Sequence, residues 1–199
     1  MEIDAARLSI RDAYALLTGI VVPRPIAWIS TQDEKGHVNL APFSYFNAVG
    51  SDPPMISVSI AARGDGSDKD TLRLIRQTGC FCVNLAEEGD AVAVNNSSAE
   101  LPPEESEALK FGIPTMPCAK IAGVRIASSR AALECRFIEA HGYGRKRKVS
   151  LVVAEVVHIF VDDALLVGDV VDPTLMQPIA RLGGENYAAL GRRFSLARP

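Results

Sequence analysis

Seven segments rich in β-branched and aromatic residues, joined by hairpins and a few helices, constrain the fold of this chain most strongly. Parallel strands need crossovers of a dozen or more residues, and the connections here are too short for a regular alternation of strand and helix. The sequence therefore predicts a mainly β protein, an antiparallel barrel with peripheral helices. The predicted strands are Ile20–Ser30, Val38–Pro42, Met55–Ile60, Cys80–Leu85, Ala119–Ala127, Ala131–Ala140 and Val149–Val161.

Turn and cap residues mark the helices and the breaks between these strands. Ser9 is a typical N-cap for a short helix over Arg11–Leu17, and Gly79 is a typical stop for a helix over Asp68–Arg76. Residues 87–117 are punctuated by prolines and are predicted to be mostly helix and loop. Further breaks are predicted at Gln32–Gly36, at Pro53–Pro54 and within Asp172–Leu190, which also holds a short helix.

The length and the net charge of the chain exclude several classes of protein. A length of 199 residues suits a single domain over residues 1–199 with a sizeable core. The formal net charge of −3 counts against binding nucleic acid through bulk positive charge. No apolar run is long enough to span a bilayer, and the charged N-terminal residues do not resemble a secretory signal. We therefore predict a cytoplasmic protein that binds neither nucleic acid nor membranes.

The four cysteines, Cys80, Cys82, Cys118 and Cys135, include no Cys-x-x-Cys pair, and the histidines lie far from them in sequence. A metal site is therefore not predicted. Cys80 and Cys82 share one face of a predicted strand. We favour their interpretation as small buried apolar residues, with a redox pair as the alternative. This cysteine usage fits a reducing compartment.

The start of the predicted helix after residue 67 is a candidate anion site. A helix start exposes unpaired N–H groups and the positive end of the helix dipole. Lys69 and the hydroxyl of Thr71 lie in that first turn, and Arg63 is close by on the preceding loop. Together they would suit a phosphate monoester, with Asp70 holding the turn. The alternative is a plain capped helix with a solvated lysine.

Two further segments are candidates for binding a flat ligand. Asn39–Asn47 combines small residues, a proline and aromatics just after a strand, so a ligand can approach its backbone. The alternative is that Phe43 and Phe46 only fill the core. Pro23–Thr31 carries an arginine and the only tryptophan and ends in two hydroxyls. The alternative for this segment is an edge strand with an exposed arginine and a packed indole.

Taken in order along the chain, these segments resemble the flavin reductase-like proteins with the FMN-binding split barrel. The resemblance covers about residues 13–190 and is carried by an ordered set of motifs. It implies an antiparallel split β-barrel with peripheral helices and FMN bound near a homodimer interface. The motifs are Pro23–Thr31, Gly36 with Asn39–Ser44, Ser57–Ser59, Lys69–Thr71 and the tail Pro178–Tyr187.

The same resemblance implies which residues contact the cofactor, and it names no catalytic acid or base. The phosphate site would be formed by Lys69, Asp70 and Thr71 with Ser59 nearby, while Ser30 and Thr31 would reach the phosphate or the ribityl chain. Arg24 and Trp28 would sit beside the cofactor. The isoalloxazine would be bordered by Asn39, Ala41, Pro42, Phe43 and Ser44, partly through backbone groups, with Asn47 and Arg181 as further candidates.

The function implied is that of an FMN-dependent oxidoreductase, an NAD(P)H-dependent flavin reductase. It would pass electrons through bound FMN to free flavin, oxygen or a partner protein such as an oxygenase. One departure concerns a His-x-x-x-Gly-Glu-Val pattern of many reductases. Glu155-Val156 is present here, but the histidine and the glycine are not. The electron donor is therefore open, and a non-enzymatic FMN electron carrier of the flavoredoxin type is the alternative.

Two other features, the small barrel itself and the basic run Arg145–Lys148, have alternative interpretations. A small barrel without flavin would bind single-stranded nucleic acid, but such modules need a basic groove with stacking aromatics, and only 6% of the residues are aromatic. The basic run Arg145–Lys148 is interpreted as a solvated hairpin, with contact to the 2′-phosphate of NADPH as the alternative.

Overall fold

The computed structural model describes residues 2–198 and is dominated by antiparallel strands. The strands are Arg24–Pro25 (β1), Ala27–Gln32 (β2), Val38–Phe43 (β3), Phe46–Ser51 (β4), Pro54–Ala61 (β5), Cys80–Leu85 (β6), Thr115–Pro117 (β7), Val124–Ile126 (β8), Ala131–Tyr143 (β9), Val149–Val161 (β10), Leu166–Val167 (β11), Val170–Val171 (β12), Ile179–Arg181 (β13) and Tyr187–Ala189 (β14). The α-helices are Ile10–Ile20 (α1), Asp70–Thr78 (α2), Ala91–Asn96 (α3), Glu107–Lys110 (α4) and Pro173–Met176 (α5), with 3₁₀ turns at Ala5–Arg7, Glu88–Asp90 and Asp163–Leu165.

Seven strands form one antiparallel sheet in the order β3-β2-β6-β9-β10-β5-β4. β3 and β4 lie at its opposite edges, yet only Ser44 and Tyr45 separate them in the chain. The end of β3 at Phe43 and the start of β4 at Phe46 are three Cα–Cα steps apart, at most about 11 Å, so the two edges must come close and the sheet must curl into a barrel. The backbone hydrogen bond from Ser59 N to Tyr45 O (2.8 Å) continues the β4–β5 ladder into the connection, and no ladder joins β3 to β4 within residues 2–198. The predicted split β-barrel is confirmed.

The barrel interior is filled by the inward side of each strand and by α2. On β5 every second residue, Ile56, Val58 and Ile60, is buried, as the alternating sequence predicts. β2 is different because both of its faces are buried. Its outer face, with Trp28, packs on a second apolar cluster built from residues 86–126 and Ile179.

Helix α2 packs against the barrel through Leu72 and Ile75. It begins at Asp70 and stops at Gly79, whose φ of 71° is a left-handed conformation that glycine adopts at little cost. The helix is two residues offset from the predicted one, so that Lys69 is its N-cap residue. No helix within residues 2–198 is long and apolar enough to cross a membrane.

The strand predicted over Ala119–Ala127 is correct only over Val124–Ile126 and is wrong over residues 119–123. The structure has the short hairpin of β7 and β8, and a loop over residues 118–123 between them. The buried carboxylate of Glu134 accepts hydrogen bonds from the N–H groups of Ala119 (2.7 Å), Lys120 (2.6 Å) and Ile121 (3.2 Å). Those three donors point at one carboxylate, so they are not available to a strand ladder. The sequence analysis also missed β4.

A buried asparagine joins the barrel to the β7–β8 hairpin. Asn84 is 0% exposed, and its Nδ2 donates to Trp28 O (2.9 Å) and to Ser30 Oγ (3.1 Å). Its Oδ1 accepts from Ile126 N (2.8 Å). Every polar atom of this side chain is paired, as burial requires.

Replacing the Asn84 side chain tests how much it contributes to the stability of the fold. We expect Asn84→Ala to lower the free energy of unfolding by about 2–4 kcal/mol, because it leaves buried backbone groups unpaired and opens a cavity. Urea unfolding monitored by circular dichroism measures the change. The exposed Asn96→Ala is the matched control and should stay within about 0.5 kcal/mol of the wild type. Equal stability of Asn84→Ala and the wild type would contradict the role assigned to Asn84.

Candidate functional site

The free edge of β3 forms the centre of the candidate site. Leu40 N donates to Glu107 Oε2 (3.0 Å), which shows that the backbone groups of Leu40 point away from β2. Successive N–H groups of a strand point to opposite edges, so position 42 also faces outward, and Pro42 has no N–H. The middle of this edge therefore offers carbonyl oxygens and a smooth surface, and it resists pairing with another strand.

The start of α2 lies beside this edge and is open to an anion. Lys69 is extended and its side chain does not cap the helix, so the first-turn N–H groups lack a side-chain partner. Within residues 2–198 the Lys69 ammonium has no carboxylate within 4 Å. Asp70 is paired with Arg63 and with Arg73 (2.9 Å), which offsets its charge. The local field favours a negative group here.

Asn39 ties the edge strand to the helix. Its Nδ2 donates to Thr31 Oγ1 (3.1 Å) and to Thr71 Oγ1 (2.9 Å). Both threonine side chains are buried, so they lie beneath the surface and fix the position of Asn39. The helix start and the β3 edge thus form one rigid unit.

A continuous groove runs from this helix start along β3. One part is lined by Lys69–Thr71 and the β3 edge, the other by Arg181 and Tyr187, and the two parts share Pro42, Phe43 and Ser98. We call this surface the β3 groove. Its lining residues are Ile26, Asn39, Ala41, Pro42, Phe43, Ser44, Arg63, Lys69, Asp70, Thr71, Val94, Asn95, Ser97, Ser98, Ala99, Glu100, Leu101, Glu107, Arg181 and Tyr187.

The far end of the groove meets a buried arginine at Ser44. Arg24 is 5% exposed, and its guanidinium donates to the carbonyl oxygens of Thr18 (2.7 Å), Val21 (2.8 Å) and Leu182 (2.8 Å). Its Nε also lies 3.4 Å from Ser44 Oγ. A second cavity begins on this side and is lined by Leu17, Val21, Pro23, Arg24, Pro25, Ser44, Tyr45, Phe46 and Asn47.

Most of the predicted site residues lie on these two connected surfaces. The β3 groove contains Asn39, Ala41, Pro42, Phe43, Ser44, Lys69, Asp70, Thr71 and Arg181, and the second cavity contains Arg24 and Asn47. Thr31 lies beneath the groove. The side chain of Phe43 belongs to the barrel core, so it presents mainly backbone to the groove.

The structure does not bring Trp28, Ser30 or Ser59 to the groove. Trp28 is 1% exposed on the covered outer face of β2, where its Nε1 donates to Ser97 Oγ (2.9 Å). Ser30 lies on the same face, and its hydroxyl donates to Val124 O (2.6 Å). Ser59 is on β5, between β4 and β10. The side chains of Trp28 and Ser30 are enclosed by residues 86–126, so they do not reach the groove as the sequence predicted.

Sequence reasoning missed one wall of the groove. Asn95, Ser98 and Glu107 come from the segment that was predicted only as helix and loop, and no spacing in that segment marks them. The guanidinium carbon of Arg181 lies 4.4 Å from the centroid of the Tyr187 ring, so the two side chains are stacked. Within residues 2–198 no group of three or more His, Cys, Asp or Glu side chains is placed to hold a metal ion.

Known proteins share the sequence pattern and the fold of this chain. The model of the flavin reductase like domain matches residues 19–173. The chain belongs to this family. It is 33% identical to nitrilotriacetate monooxygenase component B from Bacillus cereus, with a TM-score of 0.94 over 98% of each chain. It is 30% identical to the Pseudomonas fluorescens 2-nitrobenzoate 2-nitroreductase, with a TM-score of 0.89 over 100% of this chain and 96% of that one.

A protein of Halalkalibacterium halodurans is 38% identical over 202 residues, which cover 100% of this chain and 97% of that protein. Membership of the flavin reductase like family supports a flavin-related oxidoreductase function. The predicted family is confirmed by the domain match.

Glu107 gives the groove a pH-sensitive carboxyl group. Burial raises the pKa of Glu107 above its ordinary value of 4.5, although the hydrogen bond from Leu40 acts to lower it. A carboxyl group with a raised pKa in the folded state stabilises the fold fully below its unfolded pKa. That contribution is lost as the pH rises through the folded pKa.

We therefore expect Glu107→Gln to gain stability relative to the wild type as the pH rises above 4.5, the ordinary pKa of the group. Glutamine keeps an acceptor for Leu40 N but carries no charge. Urea unfolding at a series of pH values measures the difference. The exposed Glu104→Gln is the control for the same substitution outside the groove. A flat difference between Glu107→Gln and the wild type over the whole pH series would contradict the prediction.

Proposed function

We propose that the protein binds FMN in the β3 groove and acts as an NAD(P)H-dependent flavin reductase. The observation that carries this proposal is the uncapped start of α2 beside the unpaired Lys69, at one end of a groove whose floor is the smooth edge of β3. When bound, FMN supplies hydride and electron transfer, which no side chain provides. The residues of this chain bind and orient the cofactor.

At the phosphate end, the donors suit a phosphate monoester. Lys69 contributes a charge, and the first-turn N–H groups of α2 contribute hydrogen bonds. The paired Asp70 holds Arg63 next to the helix start. Thr71 is buried beneath Asn39, from which its hydroxyl accepts a hydrogen bond. The group that Thr71 offers to a ligand is therefore its backbone N–H in the first turn of α2.

At the ring end, the small residues of β3 suit a flat heterocycle. Ala41 and Pro42 leave room for a ring to lie against the backbone, and Ser44 offers a hydroxyl. The buried Arg24 beside Ser44 places a fixed positive charge at this end, and such a charge stabilises an electron-rich ring. The pair of Arg181 and Tyr187 closes the opposite wall.

The acceptor of the electrons is proposed from the relatives. One of them is component B of a monooxygenase and another is a nitroreductase. We infer that this chain passes electrons to free flavin, to oxygen or to a partner protein such as an oxygenase. NADH and NADPH are both proposed as donors. The basic run Arg145–Lys148 forms an exposed turn between β9 and β10, which suits a solvated hairpin.

A homodimer is proposed as the working form. Exposed apolar side chains cluster on and after α1, among them Tyr14, Leu17, Ile20 and Val21. A patch of this kind is typical of an interaction surface. It adjoins the second cavity through Leu17 and Val21, so a partner chain there would lie near the ring end of the β3 groove.

An electron carrier that holds FMN without reacting with nicotinamides is the second candidate. The missing histidine before Glu155 favours it. Glu155 itself lies on β10, next to Arg136 on β9 (3.8 Å). The reductase and the electron carrier would bind FMN in the same groove, and they differ only in the electron donor that reduces it.

The phosphate end is tested with Lys69→Ala. We expect FMN binding to weaken by about 1.5–3 kcal/mol, the usual loss for a charge-assisted contact, while riboflavin binding stays unchanged because riboflavin lacks the phosphate. Quenching of flavin fluorescence measures both dissociation constants. Lys35→Ala, on the exposed β2–β3 turn, is the control. Equal weakening of FMN and riboflavin would place the phosphate elsewhere.

The donor is tested by mixing FMN-loaded protein with NADH or NADPH without oxygen. A reductase loses the absorbance band of oxidised flavin much faster than free FMN does at the same concentration. An electron carrier keeps the band with both nicotinamides but loses it with a chemical reductant such as dithionite. Stopped-flow absorbance measures the rates. The second pattern would replace the proposed reductase by the carrier.

A further inference from the structure

Three of the four cysteines lie on or next to the covered face of β6. Phe81 and Val83 point into the barrel core, so Cys80 and Cys82 point to the opposite face. Cys135 on β9 is in the barrel core, on the other side of the sheet. Cys118 belongs to the loop over residues 118–123 that covers this face of β6.

Backbone hydrogen bonds hold that loop over the β6 thiols. Cys82 is the register partner of Glu134, whose carboxylate binds the amide of Ala119 at 2.7 Å. Cys118 is the neighbour of Ala119, and its own N–H donates to Gly123 O (2.9 Å). At the other end of the loop, Cys80 Sγ donates to Ala122 O (3.4 Å). The loop is thus fixed at both ends. Because Cys118 adjoins Ala119, which binds the carboxylate of the register partner of Cys82, it lies on the same side of the sheet as Cys82.

The two thiols differ in exposure. Cys118 is half-buried, whereas Cys82 is 0% exposed, so a small oxidant from solvent meets Cys118 first. Interaction with the neighbouring Cys118 side chain, followed by burial, raises the pKa of the Cys82 thiol. Cys82 is therefore a thiol at neutral pH and is unsuited to attack first.

We propose that Cys118 and Cys82 are a peroxide-oxidisable pair that forms a disulfide between the 118–123 loop and β6. The Cys118 thiolate attacks one oxygen of hydrogen peroxide, the O–O bond breaks, and a sulfenic acid and hydroxide form. The Cys82 sulfur then attacks the sulfenic sulfur, its proton leaves with the departing hydroxide as water, and the S–S bond forms. In sum, two thiols and one peroxide give one disulfide and two waters.

This pair differs from the Cys80–Cys82 pair that the sequence suggested. Residues two apart on one strand are about 6.6 Å apart and their Cβ atoms point in parallel directions, which suits a disulfide poorly. Cys118 lies on the loop over residues 118–123, outside β6, so this constraint does not apply to it. The bond would fix a loop that is otherwise held by hydrogen bonds, so the oxidised protein is expected to unfold at a higher temperature.

The location connects this pair to the groove. Glu134, Cys82, Ser30 and Leu40 form one cross-strand row over β9, β6, β2 and β3. Adjacent strands are about 4.8 Å apart, so Cys82 lies about 10 Å from the edge strand of the β3 groove. The proposal does not rest on the proposed function, because the test adds the peroxide as a reagent and includes no flavin or nicotinamide.

The experiment treats reduced, desalted protein with hydrogen peroxide, blocks the remaining thiols by alkylation, and maps the peptides by mass spectrometry. We expect the wild type to fall from four free cysteines to two and to give a Cys82–Cys118 peptide within one chain. Cys80→Ser, which removes the other thiol on this face, should react as the wild type does. Cys82→Ala should stop at a Cys118 sulfenic acid that dimedone traps.

Three results would overturn the proposal. They are a disulfide that joins any other pair or two chains, a wild type that keeps all its thiols, and a Cys118→Ser variant that still oxidises at Cys82. Circular dichroism of each variant checks that it is folded. If Cys82→Ala does not fold, the comparison of Cys118→Ser with the wild type and with Cys80→Ser still tests the proposal. Cys118→Ser is expected to fold because Cys118 lies on the loop and is only half-buried.

Discussion

The two-residue connection between β3 and β4 is the constraint on which the rest of the structure depends. Ser44 and Tyr45 join strands at opposite edges of a seven-stranded sheet, so the sheet can only close on itself. The closure leaves β3 as an edge whose carbonyl oxygens face outward beside the start of α2. It also places Ser44 between the β3 groove and the cavity around Arg24. The barrel and the candidate site thus have one geometric origin.

Buried polar side chains then fix the irregular segments around this barrel. Glu134 gathers three amides of the 118–123 loop, Asn84 joins β2 to β8, and Glu107 binds the edge of β3. Arg24 binds three carbonyl oxygens at the end of α1 and at Leu182. Each pairing satisfies backbone groups that would otherwise cost free energy inside the protein. The loops are therefore as well positioned as the strands.

These long-range pairings explain what the sequence could and could not predict. The period-2 pattern of β5 and the Gly79 stop of α2 depend on neighbouring residues, so both were predicted closely. The 118–123 loop depends on Glu134, more than ten residues away, and was mistaken for a strand. The same limit applies to Trp28 and Ser30, because alternation along β2 cannot tell which of its faces residues 86–126 cover. Asn39, Lys69 and Arg181 were placed on the groove because the family pattern fixes their order along the chain.

The charges along the β3 groove are arranged unevenly, and this bears on what it can hold. Within residues 2–198, Lys69 at the helix end has no carboxylate within 4 Å, and the buried Arg24 at the Ser44 end binds neutral oxygens. Glu107 lies near the Lys69 end, and burial raises its pKa. A ligand that is anionic at one end and gains electron density at the other meets positive charge at both. A neutral flat molecule would gain only contact with the β3 backbone. Under the proposed function, electrostatics therefore favours the phosphorylated flavin over its uncharged relatives, and the shape of the groove favours the flat ring.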